Sequence, residues 1–147
     1  MSTAKGIAGG VPCGLMMAKE KVAEAFVPGD HASTFGGNPL ATAAGNVVVD
    51  ELLGGLLDNV KEQGAYLREK LEEIAAKHKD LVKEVRGIGL MQGIELTEPA
   101  GGYIAKAIDM GLLLVGAGKY IIRFVPSLIV SKEDVDKAME ILDKALG

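Results

Sequence analysis

Tryptophan is absent from this 147-residue sequence, and phenylalanine and tyrosine together make up only 4% of it. Proteins that bind single-stranded nucleic acid stack bases on several aromatic side chains, which this composition does not supply. Basic residues are also outnumbered by acidic ones, with a net charge of −4, and no run of Lys or Arg forms a basic stripe. The sequence therefore argues against a nucleic-acid-binding function.

Cysteine is equally scarce, since Cys13 is the only one. A single cysteine excludes an internal disulfide and is typical of a reducing compartment, so we expect a cytoplasmic protein. We find no secretory signal peptide and no apolar run of membrane-spanning length, so we expect no membrane partner. His31 and His78 share no metal-ligand spacing with Cys13 or with a pair of carboxylates, and we expect no metal site.

Glycine, in contrast, is abundant: the 20 glycines are about twice the usual share. They also cluster in the sequence. Three of them follow Lys5 within five residues, in a stretch that is otherwise small and apolar. A desolvated lysine amine is a nucleophile able to form Schiff bases. The alternative is a surface lysine at a frayed N-terminus, which is the commoner situation. The residues around Lys5 alone leave both interpretations open.

A polar loop places two adjacent hydroxyl side chains, Ser33 and Thr34, shortly before Asn38-Pro39. Asn is a favourable N-cap and Pro a favourable first residue, so this dipeptide predicts the start of a helix. Free N–H groups, the helix dipole and two hydroxyls suit an anion such as phosphate. The alternative is that the hydroxyls merely cap the helix.

An arginine, Arg123, interrupts the apolar run at residues 121–125. The planar guanidinium is the preferred side chain for gripping a carboxylate with two hydrogen bonds. The alternative is an edge residue that points into solvent, and position alone favours it.

The apolar periodicity predicts a helical segment from residue 40 almost to His78, broken at Gly54-Gly55. Strands and helices then alternate, which is typical of an α+β unit. We expect strands at 81–85, 90–96, 112–115 and 120–125, a helix at 103–110, and a last helix that begins at Ser131 with a capping box to Asp134.

The predicted fold class is α/β, with an α+β small domain at its C-terminal end. Three parts follow from the pattern. We expect one part at residues 1–40, a connecting helical segment at 41–79 and the small domain at 80–147, with a boundary near residues 77–80.

Four motifs, taken in order along nearly the whole chain, resemble the class III aminotransferases, and within them the acetylornithine and ornithine aminotransferase branch. The motifs are TAKGIAGGVP at 3–12, STFGGNPL at 33–40, RGIGLM at 86–91 and IRFVP at 122–126. The resemblance implies the C-terminal part of a fold-type I transferase that depends on pyridoxal 5′-phosphate. It also implies transfer of an amino group from N-acetylornithine or ornithine to 2-oxoglutarate, in arginine biosynthesis.

The resemblance implies roles for single residues as well. Lys5 matches the lysine that binds the cofactor covalently and later moves a proton between the substrate's Cα and the cofactor's C4′. Thr34, together with Ser33, matches the loop that binds the cofactor's phosphate and that comes, in this family, from the neighbouring subunit. Arg123 matches the arginine that binds the α-carboxylate of the amino acid or keto acid.

Two departures from the family pattern concern the expected activity. Pro126 is followed by Ser127, where the family usually shows two prolines. In the family, the reactive lysine also comes late, after a large domain that carries the Asp for the pyridine nitrogen, a glycine-rich phosphate cup and an aromatic stacked on the ring. Nothing in this chain matches those groups, so we expect residues 1–40 to be poorly ordered, rearranged or packed against another copy.

Three functions remain open from the sequence. The chain is a piece of an enzyme that is completed by a separate N-terminal portion, or a non-catalytic fragment that self-associates into a homo-oligomer. The third is a module that holds pyridoxal phosphate or another anion at Lys5 and Thr34 without turnover. In the first case the isolated chain is inactive or binds the cofactor weakly.

Overall fold

The computed structural model describes residues 1–147 and divides by internal contacts into two units, Met1–Gly55 and Leu56–Gly147. Gly55 has a φ of 125°, a backbone conformation that glycine adopts readily and other residues avoid. The predicted break of the helical segment at Gly54-Gly55 is therefore confirmed. It coincides with the division between the units.

The first unit consists mainly of short elements and one longer helix. The elements are β1 (Ser2–Thr3), a single 3-10 turn (Lys5–Ala8), β2 (Leu15–Met16), α1 (Glu20–Ala23) and α2 (Pro39–Glu51), after which π-helical residues Leu52–Leu56 lead across the break. The predicted start of α2 is confirmed, because Asn38 Oδ1 accepts a hydrogen bond from the Ala41 N–H at 2.9 Å and Pro39 is the first helical residue.

Hydrophobic burial within the first unit is slight. Ala8 and Ala41 are its only buried hydrophobic residues, whereas Phe35 is 82% exposed and Leu53 78%. Within residues 1–40 only Ala8 is a buried hydrophobic residue, and the expectation that this part is poorly ordered, rearranged or packed against another copy stays a prediction.

One helical run, Pro39–Lys77, is long and apolar enough to cross a membrane, by length and composition alone, although we expected no run of that length. The finding is weak evidence for a span, because core helices of soluble proteins and signal sequences meet the same criterion. The non-helical backbone at Gly55 also interrupts the run.

The second unit is an antiparallel sheet combined with three helices. Its elements are α3 (Leu57–Lys77), β3 (Val82–Ile88), β4 (Met91–Leu96), α4 (Gly101–Asp109), β5 (Val115–Gly116), β6 (Ile121–Phe124) and α5 (Lys132–Leu146). The strand order is β3-β4-β6-β5. Each strand and helix predicted after residue 80 has a counterpart, but β5 shares only Val115 with the strand expected at 112–115. β3 also extends three residues beyond the expected end at residue 85, to Ile88, and so includes Arg86.

The core of this unit lies on one face of the sheet. Ile94 of β4 and Ile122 of β6 are cross-strand partners, and both are fully buried together with Leu71 of α3 and Leu142 of α5. Because side chains alternate between the two faces of a strand, the residues between these core positions lie on the opposite, open face.

Helix α3 belongs to this core, which changes the expected domain boundary. Leu67, Leu71 and Ile74 form its buried apolar stripe, as the periodicity predicted. Since this stripe packs against the sheet and α5, the division falls after Gly55 and not near residues 77–80. Residues 41–79 are therefore shared between the two units.

Polar contacts hold the ends of two helices in the second unit. His78 places Nε2 2.7 Å from Oδ1 of Asp143 on α5, and Lys77 pairs with the same carboxylate. At the start of α5 the predicted capping box is confirmed. The Asp134 N–H donates to Ser131 Oγ and the Ser131 N–H donates to Asp134 Oδ2, each at 3.2 Å.

Gly64→Ala is expected to destabilise the second unit by about 1–3 kcal/mol through overpacking. A Cβ at this position of α3 would lie 2.6 Å from the backbone carbon and oxygen of Gly89 in the β3–β4 turn. Gly102→Ala in α4, where a Cβ meets nothing within 4 Å, is the matched control and should be neutral or slightly stabilising. Urea unfolding measures both; equal effects would contradict the close helix–turn contact.

Asp143→Asn is expected to reduce stability at neutral pH by about 1 kcal/mol, since the pair is partly solvent-screened. Hydrogen bonds from Lys77 and then His78 hold the pKa of the Asp143 carboxyl below its ordinary value. A carboxyl of this kind stabilises the fold above its unfolded-state pKa, and the contribution is lost as the pH falls through the lower folded-state pKa.

The test is urea unfolding of wild type and variant at several pH values. Their difference should shrink as the pH falls below about 4. Asp109→Asn removes an exposed carboxylate without an ion pair and serves as the control. A difference between Asp143→Asn and wild type that stays constant down to pH 2 would rule out this role for the carboxylate.

Candidate functional site

Lys5 has an unusual backbone. It begins the 3-10 turn with a φ of 62°, and it is the only non-glycine residue of the chain with a positive φ. A β-carbon makes this left-handed conformation costly, and such strain concentrates at functional sites. Glycine clustering drew attention to this stretch in the sequence, but the strain at the lysine itself was not predicted.

The Lys5 side chain is exposed and has neither an ion pair nor a hydrogen bond. The turn that carries it packs on α2, where a Cβ on Gly45 would lie 3.5 Å from the Ile7 carbonyl oxygen and one on Gly9 would lie 3.6 Å from Val48. Ala8 is buried there. The backbone of the turn is thus seated against a helix while the amine stays available.

The hydroxyl loop before α2 is also open. Ser33 and Thr34 are exposed, and neither hydroxyl takes part in a hydrogen bond. Gly36 folds back on Ser33, since its N–H donates to the Ser33 carbonyl at 3.3 Å and an added Cβ would lie 2.9 Å from the Ser33 Cβ. The loop therefore presents two free hydroxyls next to a helix N-terminus, which is the arrangement that suits an anion.

No hydrogen bond or ion pair joins Lys5 to the hydroxyl loop within the first unit. The 3-10 turn meets α2 near Gly45, six residues beyond the first residue of the helix. At 1.5 Å per residue this is about 9 Å along the helix axis from its N-terminus. The turn that carries Lys5 thus contacts α2 within the helix, whereas the hydroxyl loop precedes its first residue.

Arg123 lies on the open face of the sheet. Its neighbours in β6, Ile122 and Phe124, are 0% and 5% exposed and point into the core, so alternation directs the arginine to the other side. Its Nε is buried without a hydrogen-bond partner, and the guanidinium forms no ion pair. Arg123 is therefore not an edge residue that points into solvent. β6 is an inner strand of the sheet, and the Arg123 Nε is buried.

A charged cluster on the same open face was not identified in the sequence. Glu95 of β4 accepts from Lys83 at 2.7 Å and pairs with Arg86 at 2.7 Å, and Arg86 also pairs with Glu84 at 2.6 Å. The hydrogen bonds from Lys83 and then Arg86 hold the pKa of the Glu95 carboxyl below its ordinary value. Only the register of the strands brings these residues together.

The family model described as "Aminotransferase class-III" matches residues 1–146. This chain belongs to the class III aminotransferases. Acetylornithine aminotransferase from Caldanaerobacter subterraneus is 51% identical to it across 100% of this chain and 37% of that protein. The protein of the same name from Aquifex aeolicus is 46% identical across 99% of this chain and 37% of its own length.

Solved structures of aminotransferases share the fold. Acetylornithine aminotransferase from Elizabethkingia anophelis matches with a TM-score of 0.87 and 28% identity, over 99% of this chain and 38% of its own. Ornithine delta-aminotransferase from Plasmodium falciparum matches with a TM-score of 0.86 and 32% identity, over 99% and 39%. The chain thus spans about 37% of the length of its curated relatives. Class III aminotransferases depend on pyridoxal phosphate.

Lys5→Gly is expected to stabilise the 3-10 turn by about 1 kcal/mol, because glycine adopts the positive φ without strain. Lys5→Ala keeps the β-carbon and should not. The local readout is amide hydrogen exchange at Gly9, whose N–H donates to the Gly6 carbonyl at 3.1 Å. Equal exchange rates in the two variants would show that the lysine carries no backbone strain.

Proposed function

We propose that this chain supplies the cofactor-linking lysine, a phosphate-binding loop and the substrate arginine of an acetylornithine aminotransferase of arginine biosynthesis. One observation supports the proposal: the Lys5 amine, the Ser33 and Thr34 hydroxyls and the Arg123 guanidinium all lack partners within the chain. A buried polar atom without a partner, such as Arg123 Nε, and a residue with a strained backbone, such as Lys5 with its positive φ, are both typical of functional sites. The free thiol Cys13 supports a cytoplasmic location.

The residues present fit pyridoxal phosphate in part. Lys5 would hold the cofactor's carbonyl carbon, since its amine is exposed and free. Ser33 and Thr34 would hold a phosphate through hydroxyl and backbone donors at the start of α2. When bound, the cofactor serves as an electron sink for carbanions. Because the family resemblance assigns the hydroxyl loop to the site of the neighbouring subunit, we propose that Lys5 and these hydroxyls serve different subunits of a homo-oligomer.

Arg123 would orient the substrate. A carboxylate next to its guanidinium accepts two parallel charge-assisted hydrogen bonds, which fixes both position and angle. Burial of the Arg123 Nε would strengthen this interaction, because a charged pair is stronger in a low-dielectric environment. By the family resemblance, Lys5 would also accept and move the proton of the substrate's Cα.

The isolated chain is expected to be inactive. No residue here is assigned to the pyridine nitrogen, and the relatives are almost three times as long. A second candidate function, a self-associating non-catalytic fragment, is favoured by the exposed apolar side chains of the first unit. In the longer relatives the additional chain would cover such surfaces.

Titration of the purified chain with pyridoxal phosphate tests the first proposal. We expect weak binding, seen as the visible absorption band of a lysine-bound cofactor, without turnover when an amino donor and 2-oxoglutarate are added. Lys5→Ala should lose most of the band, whereas Lys21→Ala, another exposed lysine of the first unit, should keep it. Absence of the band in wild type, or an equal band in Lys5→Ala, would contradict the proposed role of Lys5.

A further inference from the structure

Three adjacent strands of the second unit place two arginines in one row across the open face. Arg86 of β3 is paired with Gly93 of β4, and Gly93 is paired in turn with Arg123 of β6. Cross-strand partners share a face, so both arginines flank the same glycine. With no side chain at Gly93, nothing from β4 separates them at this level.

Glu95 occupies the next position of β4 on that face. It is two residues beyond Gly93 and is therefore the diagonal neighbour of both Arg86 and Arg123, a spacing that long side chains bridge. The Glu95 carboxylate forms an ion pair with only one of these two arginines. Its Oε2 lies 2.7 Å from Arg86 Nη1, while Arg123 forms no ion pair.

A β-bulge accounts for the asymmetry. Val82 pairs with Leu96 and Glu84 pairs with Glu95, so Lys83 is one extra residue in β3. A bulge redirects a side chain that would otherwise follow the regular alternation. Here it lets the Lys83 ammonium donate to Glu95 Oε1 at 2.7 Å, so that both oxygens of the carboxylate are engaged on the β3 side.

We propose that Lys83 and Arg86 are positioning residues that hold Glu95 toward β3 and so keep Arg123 free for the carboxylate of the substrate. This inference rests on the proposed function of Arg123. The Arg123 guanidinium, whose Nε is buried and has no partner, would otherwise pair with its diagonal neighbour, the Glu95 carboxylate. Glu95 would then compete with the substrate for the same fork of donors.

The lowered pKa of the Glu95 carboxyl supports the geometry, because it reflects hydrogen bonds from Lys83 first and Arg86 second. The Glu95 side chain is also only 20% exposed, so water competes weakly for its oxygens. If the two donors are removed, the free cation nearest to Glu95 in the strand register is Arg123.

The test compares wild type with Lys83→Met/Arg86→Met in the full chain, using NMR of the Arg123 side-chain Nε–Hε group. We expect this resonance to shift in the double variant and to exchange more slowly with solvent, as Glu95 pairs with Arg123. Titration with 2-oxoglutarate, followed at the same resonance, should show about fivefold weaker binding in the double variant, the effect of one partly exposed ion pair.

Two triple variants separate competition from loss of charge. Adding Glu95→Gln to the double variant should return both the resonance and the affinity toward wild type. Adding Glu84→Gln changes the net charge equally, but Glu84 lies two strands from Arg123 and should restore neither. Lys83→Arg keeps a donor and should behave as wild type, and Lys79→Met, which removes an exposed unpaired lysine, should have no effect.

An unchanged Arg123 resonance in the double variant, or equal rescue by the two glutamine substitutions, would overturn the inference. If the double variant does not fold, Lys83→Met alone is used with the same criteria, since Lys83 is 63% exposed. The proposed function fails separately: 2-oxoglutarate would then leave the Arg123 resonance unmoved in every variant. The shift between variants in the absence of 2-oxoglutarate would still decide the role of Lys83 and Arg86.

Discussion

The covering of one face of the antiparallel sheet by α3, α4 and α5 determines most of what the second unit does. Burial of Ile94, Ile122 and Phe124 against these helices leaves alternate side chains on the opposite face. Arg123 lies there because its two neighbours are core residues. The same strand thus stabilises the unit with one face and presents the Arg123 guanidinium on the other.

The first unit follows a different physical logic. It buries only Ala8 and Ala41 among its hydrophobic residues, so hydrophobic burial contributes little to its order. What defines it is local backbone chemistry: the cap at Asn38, the seat of the 3-10 turn on α2, and the positive φ of Lys5. A strained, unpaired lysine on such a scaffold favours a role in binding over a role in packing.

Local rules predicted much of this from the sequence. The cap at Asn38, the break at Gly55 and the capping box of Ser131 each depend on a few neighbouring residues, and the structure confirms all three. The position of Arg123 within a strand also followed from its apolar neighbours. The features that depend on long-range pairing were not predicted from the sequence. They are the bulge at Lys83, the register that brings Glu95 to Arg86, and the inclusion of α3 in the second unit.

The central claim is that Arg123 is left without an internal partner so that it can bind a carboxylate. Calorimetric titration of the chain with 2-oxoglutarate tests it directly, with Arg123→Gln compared to Lys79→Gln. Loss of a charge-assisted, two-pronged contact predicts at least about tenfold weaker binding for Arg123→Gln, while Lys79→Gln binds as wild type does. Equal affinities of Arg123→Gln and wild type would contradict the account.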